Sequence, residues 1–122
     1  MFDVKIIENE AVLFEDDVAV MNLESLRDDV GNIRYNFDDG SYVRIWLDNA
    51  IAWYDSNNFP HRGCDMPAYI ETDGYRSYFK HGQYHREYGP ARIRKYGEEE
   101  YWLDGIQYHK DEYDAEMAKW NS

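Results

Sequence analysis

HRGCDMPAYIETDGYRSYFKHGQY (residues 61–84) and HREYGPARIRKYGEEEYWLDGIQY (residues 85–108) stand back to back, and the second rewrites the first. Pro67-Ala68 returns as Pro90-Ala91, Gly74 as Gly97, Tyr78-Phe79 as Tyr101-Trp102 and Gly82 as Gly105, each 23 residues on. His61-Arg62 returns as His85-Arg86 and again as His109-Lys110, each time 24 residues on, so one loop position slips between copies. A period in the low twenties that keeps its glycines and aromatics marks a stacked repeat.

Each copy reads as two short strands separated by glycine turns. In the second copy Ala91 and Ile93 alternate with Arg92 and Arg94, the two-residue period of a half-buried strand. Tyr96-Gly97 supplies a residue free to take positive φ, and the run Glu100 to Leu103 ends in Asp104-Gly105, a hairpin signal. His81-Gly82 holds the same place in the first copy. Strands of about five residues bury no face alone, so the copies must lie side by side as an antiparallel meander with stacked aromatics.

The window YFKHGQYHREYGPARIRKYGEEE (residues 78–100), with its His-Arg-x-x-Gly-Pro-Ala phrase and later aromatic-x-x-Gly, resembles a MORN-type repeat. It is closest to the MORN-like repeats of small phage and large-virus proteins. The resemblance covers the second half of the chain. It implies a scaffold or protein-binding surface without catalysis, of the kind a phage accessory protein uses on a host protein. The first copy departs from the phrase at Gly63-Cys64-Asp65-Met66, which leaves that turn open.

Outside the repeats, residues 2–7 alternate as a strand, 11–14 read as a second and 18–21 as its continuation into a third, and Asn22 is read as the N-cap of a short helix. Leu23, Leu26 and Val30 would form its apolar face and Gly31 its C′ residue. From Ile33 the strand pattern resumes, and Trp46-Leu47-Asp48-Asn49 is matched with Trp102-Leu103-Asp104-Gly105 as a degenerate earlier copy. Asp111-Glu112 followed by Tyr113, Met117 and Trp120 predicts a closing helix over the last strand. The expected organisation is mainly β in one domain over residues 1–122. It comprises a β-rich cap (1–32), a degenerate repeat (33–60), two repeats (61–84 and 85–108) and a C-terminal capping helix (109–122).

Net charge is −12, and residues 1–60 carry most of it, with 4 Lys/Arg against 13 Asp/Glu. Such a chain is repelled by DNA, RNA and anionic lipid and attracts a basic partner. No apolar run reaches the length of a membrane span, and no charged-then-apolar signal segment opens the sequence. The lone Cys64 leaves no internal disulfide and fits a reducing, cytoplasmic setting.

The His61, His85 and His109 column suggests a metal. Equivalent points in successive hairpins lie about 10 Å apart, whereas zinc holds its ligands at about 2 Å. A structural His-Arg element, bonding carbonyls or neighbouring acids, is therefore expected, with no metal and no cofactor, and His81 is expected in solvent. The pairs Asp16-Asp17, Asp28-Asp29 and Asp38-Asp39 lack any EF-hand or phosphate-loop spacing. They are read as turn residues that also offer an acidic surface, with Trp46, Trp53 and Tyr54 as exposed aromatic contacts. Arg92, Arg94 and Lys95 face Glu98, Glu99 and Glu100 as cross-hairpin ion pairs. These readings favour a non-enzymatic binding protein that blocks or mimics at a basic host surface, such as that of a nucleic-acid-handling factor. The alternative is an assembly module that self-associates through the tyrosine-rich sheet, and a carboxylate- or His-dependent enzyme comes third.

Overall fold

A computed structural model describes residues 1–120; Asn121 and Ser122, the end of the expected capping segment, lie outside the described residues. The protein is mainly β, an antiparallel meander with one short C-terminal helix. Three strands, β1 (Phe2–Ile7), β2 (Glu10–Glu15) and β3 (Val18–Asn22), form a first sheet. Then follow β4 (Ile33–Asn36), β5 (Tyr42–Ile45), β6 (Ile51–Tyr54), β7 (Tyr69–Ile70), β8 (Arg76–Ser77), β9 (Phe79–Lys80), β10 (Gln83–Tyr84), β11 (Arg92–Ile93), β12 (Glu99–Leu103), β13 (Ile106–Tyr108) and the helix α1 (Lys110–Trp120). The large sheet is ordered β13-β12-β11-β8-β7-β6-β5-β4, and β9 pairs only with β10.

One turn builds most of the meander. In the five-residue loops 28–32, 37–41, 46–50, 55–59, 71–75 and 94–98, the first N–H donates to the fifth carbonyl and the fourth N–H donates to the first carbonyl. The fourth residue is Gly31, Gly40, Asn49, Asn58, Gly74 or Gly97, each at positive φ. This is a type I turn closed by a bulge residue in the left-handed region. Carboxylates of Asp28, Asp39, Asp48, Asp55 and Asp73 accept N–H groups inside these loops, which accounts for much of the acid in the turns. The first four loops start nine residues apart, so β4 to β6 obey a nine-residue strand-and-turn period.

The repeat period of 23 sits on top of this. Residues 76–80 and 99–103 are the long strands of the two copies. The first half of each pairs with β7 or β11, and the second half with β10 or β13. The first halves continue the large sheet through β8–β11 pairing. The second halves make a second ribbon: Arg62 N–H donates to the Phe79 carbonyl and Gly82 N–H to that of Pro60, as Arg86 does to Trp102 and Gly105 to Tyr84. The single continuous ribbon expected from the sequence is therefore split, because β9–β10 turns out of the sheet at Tyr78.

Three local readings change. The expected 22–31 helix is only a 3-10 turn, Glu24–Leu26, since Arg27 is already extended and the Asp28 side chain bonds Val30 and Asn32 N–H into a loop. Leu23 is buried while Leu26 and Val30 face solvent, so no helical face exists. The Trp46 to Asn49 and Trp102 to Gly105 segments are not equivalent turns: Asn49 alone has positive φ in the first, Asp104 and Gly105 both do in the second. Finally, α1 packs on β12 through Tyr113 against Tyr101 and leaves β13 as the end of the sheet. Gly63–Met66, open in the sequence, is a two-residue turn with Cys64 and Asp65 both at positive φ.

The core lies between the two sheets. Val4, Ala11, Leu13 and Leu23 meet Ile33, Val43, Ile45 and Ile51, with the ring of Phe2 on Phe37 and Phe37 stacked on Trp53. Burial of these apolar side chains is the main stabilising term. It covers one face of β4–β6 only.

Candidate binding face

Side chains directly opposite one another in a sheet share a face. The pairing register therefore reads off a row across the uncovered face: Arg34, Arg44, Ala52, Tyr69, Ser77, Arg92 and Glu100. Large and small alternate from Arg44 to Arg92, and both small residues, Ala52 and Ser77, sit low between larger neighbours on the cleft floor. The result is a cleft of ≈ 410 Å³ walled by Tyr54, Tyr69, Tyr75, Phe79 and Tyr84. Rings pack edge to face from Trp46 to Tyr69 to Tyr75, and Tyr84 lies between Phe79 and Trp102. An aromatic cleft with a few converging polar groups is the usual form of a ligand site.

Those polar groups are tied together. Arg92 Nε donates to the Tyr75 hydroxyl at 2.7 Å and its Nη1 reaches Glu100 at 3.5 Å, while Arg94 also pairs with Glu100. The Tyr69 hydroxyl donates to Glu71 at 2.8 Å. Burial, the Glu71 bond and the negative charges of Glu71 and Asp48 push the Tyr69 hydroxyl up to about 12. Burial likewise raises Tyr54 and Tyr84. The cleft thus keeps Tyr54, Tyr69 and Tyr84 protonated, as polar handles on apolar walls, with carboxylates along the side of the 46–50 and 71–75 loops. Among the described residues no histidine lines it.

The His-Arg elements are built elsewhere, and they do structural work. His61 Nδ1 accepts the His81 N–H at 3.0 Å, and His85 Nδ1 accepts the Asp104 N–H at 2.9 Å, so each histidine caps the turn of the next hairpin. The sequence suggested carbonyls or acids as partners of this element, and the arginines take those. Arg62 bonds the Pro67 carbonyl and Asp3 and lies over the Trp53 ring; Arg86 bonds the Pro90 carbonyl and Asp65 and lies over Tyr78. His81, expected in solvent, is 62 % exposed in its side chain yet stacks on His61 and bonds Asp55 at 2.7 Å. Among the described residues no group of three or more His, Cys, Asp or Glu is placed to hold a metal ion.

The contacts expected from the sequence do not form one patch. Asp28 and Asp29 lie in the loop before β4, and Asp38 and Asp39 in the loop after it, at opposite ends of a four-residue strand. Asp16 and Asp17 make the β2–β3 turn, where Asp16 pairs with the Met1 amine. Trp46 and Tyr54 fall on the open face, with Tyr54 stacked on Tyr42. Trp53 is no exposed contact: one position out of phase with Tyr54, it points to the core side and is 7 % exposed. It borders a second groove of ≈ 430 Å³ between the sheets, together with Phe2, Phe37, Asp38, Asp39 and Arg62. Its indole Nε1 is buried without a hydrogen-bond partner. The residues missed from the sequence are Tyr69, Tyr75, Tyr84 and Arg92. Their signal was the register itself, which becomes readable once the loops of Gly31, Gly40, Asn49 and Asn58 fix where each strand begins.

Compared with models of protein families, with curated proteins and with solved structures, the chain matches none.

Proposed function

We propose that this is a MORN-like, non-enzymatic binding protein that holds a basic protein partner, such as a host protein blocked by a phage-type accessory factor, on its open sheet face. The observation carrying the reading is the asymmetry of the sheet: one face of β4–β6 is sealed against β1–β3, while the opposite face of the sheet presents a tyrosine-walled cleft. Acidic loops at both ends of the strands, Asp28, Asp48 and Asp73 at one and Asp38 and Asp39 at the other, surround that face. A chain of net charge −12 steers a basic partner toward them and speeds the encounter. The mechanism is steric occupation of the partner's basic surface.

The test is affinity capture, identification of the captured protein, and titration of the purified pair. Affinity should fall steeply between about 0.05 and 0.5 M salt, and should fall again in the double variant Tyr69→Ala, Tyr75→Ala and when Asp28, Asp29, Asp38 and Asp39 become Asn. Binding indifferent to all three overturns the reading. Self-association is the second reading, favoured by the exposed β3 edge with Val18, Val20 and Met21 in solvent. A concentration-dependent mass in light scattering that Val20→Lys abolishes would establish it.

A further inference from the structure

We infer that the occupant of the open cleft is a proline-rich segment in the polyproline II conformation, with a basic residue beside its prolines; this rests on the binding-protein reading above. The first argument is spacing. Ala52 and Ser77 are the two depressions of the row and lie two strands apart, with Tyr69 between them. At about 4.8 Å per strand they are about 9.6 Å apart. A polyproline II helix repeats every three residues at about 3.1 Å each, so prolines at i and i+3 recur every ~9.3 Å on one side. Such a helix laid across the strands puts successive prolines into successive depressions.

The second argument is chemistry. Proline-rich ligands dock on aromatic-lined grooves because their apolar rings pack on flat ring faces and their conformation is set beforehand, at little entropic cost. Their carbonyls are unpaired and need donors. Here the walls are Tyr54, Tyr69, Tyr75, Phe79 and Tyr84, and Arg92, with five N–H groups, stands at one end of the cleft. The third argument is charge. Glu71 lines the cleft, and Asp48 and Asp73 lie in the adjoining loops, so the side opposite the second ribbon favours a ligand Arg or Lys.

The probes are decaproline, decaproline preceded by Arg-Arg, and a Gly-Ser decapeptide, each titrated by calorimetry into the full chain. Ring-proton shifts of the cleft tyrosines are followed by NMR. Decaproline should bind saturably with shifts confined to Tyr54, Tyr69, Tyr75 and Tyr84. The Arg-Arg extension should tighten binding several-fold, and Asp48→Asn with Glu71→Gln and Asp73→Asn should remove that gain. Ala52→Leu, which fills one depression, should weaken decaproline at least ten-fold; the wild-type ring shifts keep the test decisive if that variant does not fold. No saturation, or an equal response to Gly-Ser, overturns the proposal. If a captured partner is lost from the Tyr69→Ala, Tyr75→Ala variant but is not displaced by decaproline, the occupant is wrong and the binding reading stands. If the partner ignores that variant, the cleft is not its site and this proposal falls; indifference to salt and to the Asp28, Asp29, Asp38 and Asp39 replacements as well takes the binding reading with it.

Discussion

The rings of His61 and His81 stack at 3.9 Å, 9° from parallel, while His61 Nδ1 accepts the backbone N–H of His81. That nitrogen must be unprotonated, and the surroundings keep it so. Burial lowers the His61 pKa, the neighbouring His81 and Lys80 lower it further, and Asp55 opposes them.

A pH dependence follows. The folded value lies below the unfolded 6.5, so the unfolded chain takes up the proton first and stability falls as pH drops through that range. The loss is complete below the folded pKa. Melting temperatures between about pH 7.5 and 5.5 should decline, and His61→Asn, which keeps an acceptor and removes the titration, should flatten the decline. Acids act in a separate window. Burial pushes Asp55 up, but bonds from His81 and from Phe59 and Asn57 N–H outweigh it and hold the carboxyl low. Glu24 is held low by Arg27 and the Ala11 N–H. Their contributions are present above the unfolded carboxylate range, about pH 4, and are lost as pH falls through the lower folded values.

The shared loop geometry makes glycine replacement predictable. Gly74 has φ +98 with open space where a Cβ would go, so Gly74→Ala should cost about 1–2 kcal/mol from backbone strain alone. Gly31→Ala should cost more, because its Cβ would come within 2.5 Å of Leu47 Cδ1 and Leu47 must change rotamer. Gly74→Asn should be the mildest, since Asn49 and Asn58 already fill that position in the same loop. Urea unfolding of the three variants should give this order.

Arg62 and Arg86 occupy equivalent places but differ in burial, their side chains being 7 % and 17 % exposed. Each spans a carbonyl, a carboxylate and a ring face, a combination that lysine does not reproduce. Arg62→Lys should therefore lower stability more than Arg86→Lys, with Arg62→Ala at about 2–3 kcal/mol. Chemical denaturation ranks them.

The Tyr113 hydroxyl donates to the Arg86 carbonyl and accepts the Gly89 N–H, so one side chain fastens α1 to the repeat loop. Tyr113→Phe leaves both backbone groups without that partner, a loss of about 1–3 kcal/mol. Amide exchange should show α1 opening first, ahead of β12.

Much of the fold was legible because its signals are local. Asp104-Gly105 and His81-Gly82 turn where their φ freedom says they should, and Tyr113 faces inward at the helical spacing. Three things were not legible. The loop of Asp28 and Gly31 looks like a helix end, because a left-handed glycine closes both structures. The departure of β9–β10 depends on a change of direction at Tyr78 that no residue type marks. The binding cleft was hidden because Ala52 and Ser77 are 25 residues apart in sequence and become neighbours on one face only through β7. The acid pairs were conspicuous and misleading as a cluster, since Asp28 and Asp39 serve their own loops and Asp16 pairs with the N-terminal amine.

The nine-residue spacing of the early loops also restricts how such a chain can lengthen. Each strand-and-turn unit reverses the course of the backbone, so inserting one would invert every later strand and lay Tyr69 and Ser77 on the sealed side. Insertions must come as pairs of eighteen residues, or as whole 23-residue copies, each of which advances the sheet by two strands. Parity, more than length, decides which duplications this architecture can absorb.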